Sequence, residues 1–139
     1  MNNPLNQPLI QSTVVSNKLR SSFLPKHLGN NFLRFESMIY QMMDHFCKNY
    51  SGGYWEFYEL SNNGFYMAPQ SGEPYNLFIE GNGYEDIVSN DAAGIIVTSY
   101  VLNKLVWKTE SELLVDKYYL LLDFAGQHPE SGQIFAAID

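Results

Sequence analysis

The chain has 139 residues, 45% of them hydrophobic, with eight Lys and Arg against fifteen Asp and Glu for a formal net charge of −7. That length buries one core without staples, and a lone cysteine, Cys47, excludes an intramolecular disulfide and a multi-cysteine metal knuckle. No apolar run is long enough to span a membrane, and the N-terminus lacks the basic start and apolar middle of a secretory signal, so the expected location is the cytoplasm.

Residues 1 to 20 are rich in Asn, Gln, Ser and Pro without periodicity and are expected to form a flexible arm ahead of a single domain over residues 21 to 139. In "SSFLPKHLG", Phe23 and Leu24 are placed to tuck under the domain, with Gly29 ending the turn. From about Phe32 to Asn49 the apolar residues Phe35, Met38, Ile39, Met42, Met43 and Phe46 recur every three or four positions, which predicts an amphipathic helix closed by Gly52 and Gly53. "GGYWEFYELSNNGFYMAP" then reads as an aromatic β-hairpin around Asn63-Gly64. A two- or four-residue turn there puts Tyr58, Leu60, Phe65 and Met67 on one face and Trp55, Phe57, Glu59 and Tyr66 on the other, whereas a three-residue loop reverses that parity. "YNLFIE" and "YEDIVS", joined by Gly81-Asn82-Gly83, complete a predicted four-stranded antiparallel meander.

The remainder is helical. Ser89 is the expected N-cap of a helix reaching about Lys108 that is apolar on most sides, as a central buried helix requires. Thr109 with Glu112 reads as a capping box for the next helix, and Pro129 as the first position of a short last one. One amphipathic helix, about four strands and three C-terminal helices make an α+β fold.

Little in the sequence suggests catalysis. Glu56 and Glu59 stand at an odd offset in a strand and so face opposite ways, as do Glu85 and Asp86. His27, His45 and His128 are far apart with no ligand partner one helical turn away, and Cys47 beside Phe46 reads as a small buried hydrophobe. "GNGY" lacks the third glycine and the following helix of a dinucleotide fingerprint, so neither cofactor nor metal is expected. Nucleic acid is disfavoured by charge. Residues 1 to 50 carry five bases against two acids, but residues 51 to 139 carry three against thirteen, so the aromatic hairpin has acids beside it where a base-stacking sheet needs Lys or Arg.

The segment "NYSGGYWEFYELSNNGFYMAP", together with "FLPKHLG", "GNGY", "NDAAGI" and "HPESGQIFAAID", closely resembles the ArdB/KlcA family of antirestriction proteins, in order from about Phe23 to Asp139. Asn63 stands where that family has glycine, and Asn90 where it has a small residue. The resemblance implies a small cytoplasmic bacterial protein of mobile elements, with an α+β fold, that relieves type I restriction.

Two mechanisms are then open, with a small enzyme as a third and weaker alternative. A DNA mimic about 37 Å long needs on the order of twenty net negative charges to match duplex phosphates at one per roughly 1.7 Å. This chain has fifteen acids offset by eight bases, which favours a protein contact with type I restriction enzyme subunits or an associated host protein. The expected interaction residues are Trp55, Phe57, Glu59 and Tyr66 on one hairpin face, with Asn62 and Asn63 in its loop. A sheet edge or aromatic patch also leaves a homodimer open.

Overall fold

The structure, a computed structural model, describes residues 9–70 and 74–139. The chain folds as β1 (Ser12–Val14), α1 (Arg20–Leu28), α2 (Phe32–Phe46), β2 (Trp55–Leu60), β3 (Phe65–Pro69), β4 (Tyr75–Ile79), β5 (Tyr84–Val88), α3 (Asn90–Thr109), α4 (Glu112–Ala125) and α5 (Ser131–Ile138). This is a single α+β domain.

α3 is its axis. Ser89 caps it by accepting from the Ala92 N–H at 3.1 Å, and Ala92 to Ser99, Val101, Leu102 and Leu105 are all buried. β3 and the helices α2, α4 and α5 pack around it, which is why its sequence is apolar on most sides. At Gly94 the approach to β3 is so close that a Cβ there would lie 2.3 Å from the Cβ of Ala68 and 2.5 Å from the Met67 carbonyl oxygen.

The expected four-stranded meander is instead two sheets, β1-β2-β3 and β4-β5, each antiparallel. The separation follows from α3. In the register Phe57↔Met67, the Met67 N–H and C=O point away from β2, and both meet the hydroxyl of Thr98, at 3.3 and 3.4 Å. Asn90 Nδ2 donates to the Pro69 carbonyl at 3.0 Å. A helix therefore occupies the edge of β3 that β4 would have taken.

The expected arm also needs correction. Residues 1–8 lie outside the described residues, but Ser12 to Val14 pair with Leu60 to Tyr58, and Gln127 holds both the N–H and the C=O of Ile10, at 3.0 and 2.7 Å. The β-branched run Thr13-Val14-Val15 finds a partner in the outer edge of β2, a pairing hidden by the polar composition around it. Helix α4 is capped by Ser111 rather than Thr109. Glu110 takes the left-handed conformation that ends α3, and the Thr109 hydroxyl donates back to the Leu105 carbonyl at 2.7 Å.

Candidate interaction surface

The hairpin loop decides where the candidate residues go. Asn63 N–H bonds the Leu60 carbonyl and Leu60 N–H bonds the Gly64 carbonyl, both at 3.0 Å, so the loop is the three residues Ser61 to Asn63. Asn63 supplies the left-handed position such a loop requires, at φ 76°, where the family resemblance has glycine. Strand parity reverses as a result. Trp55, Phe57 and Glu59 share a face with Phe65 and Met67, while Tyr66 lies on the opposite face beside Tyr58, stacked at 4.6 Å. The structure thus splits the expected quartet.

Nor is either ring set exposed. Trp55, Phe57 and Tyr66 are all buried. α1 and α2 cover the first face, with Phe23 stacked on Phe57 at 5.3 Å and Tyr40 edge-on to Trp55 at 5.5 Å, whose indole N–H donates to the Tyr50 hydroxyl at 2.9 Å. Phe124 of α4 stacks on Tyr66 at 5.7 Å on the other. Arg20 closes the rim, its guanidinium 4.3 Å from the centre of Phe57 and 3.3 Å from Glu56.

Glu59 belongs to a network that local spacing did not reveal. Its carboxylate accepts from Lys26 at 2.8 Å and from Nε2–H of His27 at 2.7 Å. Nδ1 of His27 accepts from the Lys117 ammonium at 2.9 Å, and Lys117 also donates to the Asn63 carbonyl at 2.7 Å. His27 is wholly enclosed between Phe23 and Phe65. Burial, reinforced by the Lys117 charge, lowers its pKa to about 4, so the ring is neutral. Partial burial of Glu59 is outweighed by the Lys26 bond and the His27 contact, which hold its carboxyl below the ordinary range, and burial lowers the Lys117 pKa. A neutral imidazole between a carboxylate and an ammonium resembles a general base, but both its nitrogens are spent and no reactant can reach it. What the network does is join α1, the hairpin loop and α4. Asn62 completes that junction, donating to the Leu120 carbonyl and accepting from the Gly64 N–H, each at 2.9 Å.

A second network joins the opposite hairpin face to α3 and the chain before α5. Asp91 accepts from the Tyr66 hydroxyl at 2.7 Å and from His128 Nε2–H at 2.8 Å, while His128 Nδ1 accepts from the Glu130 N–H at 3.0 Å. Burial and the Asp91 charge push the Tyr66 phenol well above its usual pKa. Glu130 in turn accepts from the N–H and the hydroxyl of Ser89. Cys47 is buried, bonded to Asn49 Oδ1 at 2.9 Å, with burial pushing its thiol up. Among the described residues no group of three or more His, Cys, Asp or Glu is placed to hold a metal, and no helix is long and apolar enough to cross a membrane.

The exposed surface offers other side chains to a partner. Leu113 and Tyr119 on α4, Phe78 and Ile87 on the β4-β5 hairpin and Trp107 near the end of α3 all face solvent. Lys117 was legible only as an anomaly, a lone cation in the stripe Leu114, Lys117, Leu121, Phe124.

Residues 48–139 match the family model described as antirestriction protein. The chain is 39% identical over 137 residues to the antirestriction protein KlcA of Escherichia coli, covering 94% of each, and 39% identical over 142 residues to YafX, an uncharacterised protein of Escherichia coli strain K12, covering 98% of this chain and 93% of that one. It superposes with a TM-score of 0.87 and 35% identity on a solved structure from work on the KlcA and ArdB proteins, covering 100% of this chain and 98% of that chain. Those two proteins are described as having a novel fold and antirestriction activity against Type I DNA restriction systems in vivo but not in vitro.

Proposed function

This chain belongs to the antirestriction protein family, and from that premise we propose that it relieves type I restriction of incoming DNA through contact with protein, not through catalysis or DNA mimicry. The partner is a subunit of the restriction enzyme or a host protein associated with it, and the protein works in the cytoplasm without binding nucleic acid or membrane. The carrying observation is the internal use of the carboxylates. Glu56 pairs with Arg20, Glu59 with Lys26 and His27, Asp91 with His128 and Tyr66, and Glu130 with Ser89. A charge lattice already thinner than duplex phosphate is thinned further. Activity of the relatives in vivo but not in vitro counts against mimicry, because occupation of the DNA groove would act on purified enzyme as well, and between the two partners it favours the associated host protein, which purified enzyme lacks.

The test is affinity capture on the full chain from cells carrying an active type I system, washed at about 0.1 M and then about 0.5 M salt, where screening shortens the reach of exposed charges. Retention of a restriction subunit, or of one host protein bound to it, at the higher salt is expected. Quantitative release at that salt, with recapture on dilution, contradicts a contact anchored by apolar side chains and restores mimicry.

A further inference from the structure

We propose that the outer face of α4 is a docking groove for a basic, apolar-anchored helix of the protein partner, an inference that rests on the protein-contact function above. The groove, about 350 Å3, is lined by Asn63, Leu113, Asp116, Lys117, Tyr119, Leu120 and Asp123. Leu113 is 44% exposed and Tyr119 60% exposed, so among the described residues two large apolar surfaces face water. Asp116 and Asp123 are both exposed and stand two helical turns apart, about 10.5 Å along the axis.

The solvent-facing charge at this groove has one sign. Lys117 is its sole lining cation, and its ammonium is turned inward onto Asn63 and His27, leaving the side chain 4% exposed. Exposed Glu110 and Glu112 extend the negative field past the N-terminal end of α4. The two carboxylates therefore face solvent with no ion pair among the described residues, the inward-turned Lys117 acting on Asp116 only through space. A helix with Arg or Lys at positions i and i+7, and a leucine-like residue between them, places cations at the same two-turn spacing and an apolar residue over Leu113 and Tyr119. Tyr119 adds a ring on which a guanidinium can stack. Duplex or single-stranded nucleic acid is repelled by the same carboxylates, and a two-fold pairing of this face with itself would bring like charges together.

The experiment replaces Tyr119 in the full chain with the photoreactive p-benzoylphenylalanine and irradiates cells carrying an active type I system, with the same replacement at exposed Phe78 on β4 as the control. The expected result is an adduct from position 119, absent from position 78, to one protein at a helical segment holding Lys or Arg at two positions seven residues apart. Asp116→Lys with Asp123→Lys should erase that adduct and lower relief of restriction at least about tenfold without moving the melting temperature, and Leu113→Ser should act in the same direction. A folded Tyr119 replacement that loses relief also counts for the docking face. An adduct to nucleic acid, to a second copy or to an acidic peptide overturns the inference, as does undiminished relief in the charge-reversed chain. In that last case the protein-contact function stands, since it fails separately, when salt-resistant capture recovers no protein.

Discussion

Replacing Gly94 with alanine sets two physical effects against each other. In an exposed helix interior the change is favourable by about 1 kcal/mol, because glycine loses more backbone entropy than alanine. Here the new Cβ would sit 2.3 Å from the Ala68 Cβ, 2.5 Å from the Met67 carbonyl oxygen and 2.6 Å from the Ala68 Cα. Carbon atoms settle at about 3.5–4.0 Å, so α3 must move away from β3 by about 1.5 Å. None of the three obstacles is the end of a flexible side chain. The movement also stretches the Thr98 bonds to Met67, which are already 3.3 and 3.4 Å long. Overpacking of this kind costs about 1–3 kcal/mol, and the strained bonds add about 1 kcal/mol, so the net loss after the helix gain is about 1–3 kcal/mol. For a domain of this size that lowers the melting temperature by roughly 3–12 °C. Thermal unfolding followed by circular dichroism reads it directly. An unchanged or raised melting temperature would refute the close helix-strand contact and, with it, the explanation for the separation of the two sheets.

Lys117→Met leaves the Asn63 carbonyl and His27 Nδ1 without their donor and should cost about 2–4 kcal/mol in urea unfolding; an unchanged midpoint would show that the junction carries no stability. Because His27 has a folded pKa of about 4 against 6.5 in the unfolded chain, its neutral form contributes stability that is complete above pH 6.5 and is lost as pH falls toward 4. The loss is on the order of 3 kcal/mol, and His27→Gln should flatten that part of the stability-pH curve; parallel curves for the two proteins would mean the ring is not held neutral. Deleting residues 1 to 14 removes β1 and should lower the melting temperature by several degrees, whereas a truly free arm would leave it unchanged. Cys47→Ala should leave relief intact, and loss of relief in a folded variant would revive nucleophilic chemistry at the thiol.

The helices were legible because their signals are local. The stripe from Phe35 to Phe46, the Ser89 cap and the all-round apolarity of α3 each lie within a few turns of chain. Strand existence was legible for the same reason, but strand neighbours were not. That α3 takes the edge of β3 depends on Gly94 and Thr98 meeting Met67 and Ala68, a contact between residues about thirty positions apart, and no local pattern encodes it. The grouping of the candidate residues turned on one residue of loop length, while the helices that cover both hairpin faces come from distant parts of the chain. The Asn62-Asn63-Gly64 run is compatible with two-, three- and four-residue turns, and the left-handed Asn63 selects the three-residue form that sends Tyr66 to the other side. Glu59 stood out in the sequence as a carboxylate among rings, but its partners His27 and, through it, Lys117 come from α1 and α4 and appear only when the fold is closed.

The central claim, that relief of restriction comes from protein contact and not from imitation of DNA, is tested most directly by plating unmodified phage on cells with an active type I system and a chain carrying Asp44→Asn, Glu80→Gln and Glu85→Gln. These acids are exposed, do not line the α4 groove and form no ion pair among the described residues. A mimic spends many screened charges in parallel and should lose activity when three of its fifteen acids are neutralised. The protein-contact mechanism predicts plating efficiency within about twofold of the unmodified chain, because a few buried contacts carry most of an interface's energy. A stable, folded triple variant that no longer relieves restriction would contradict it.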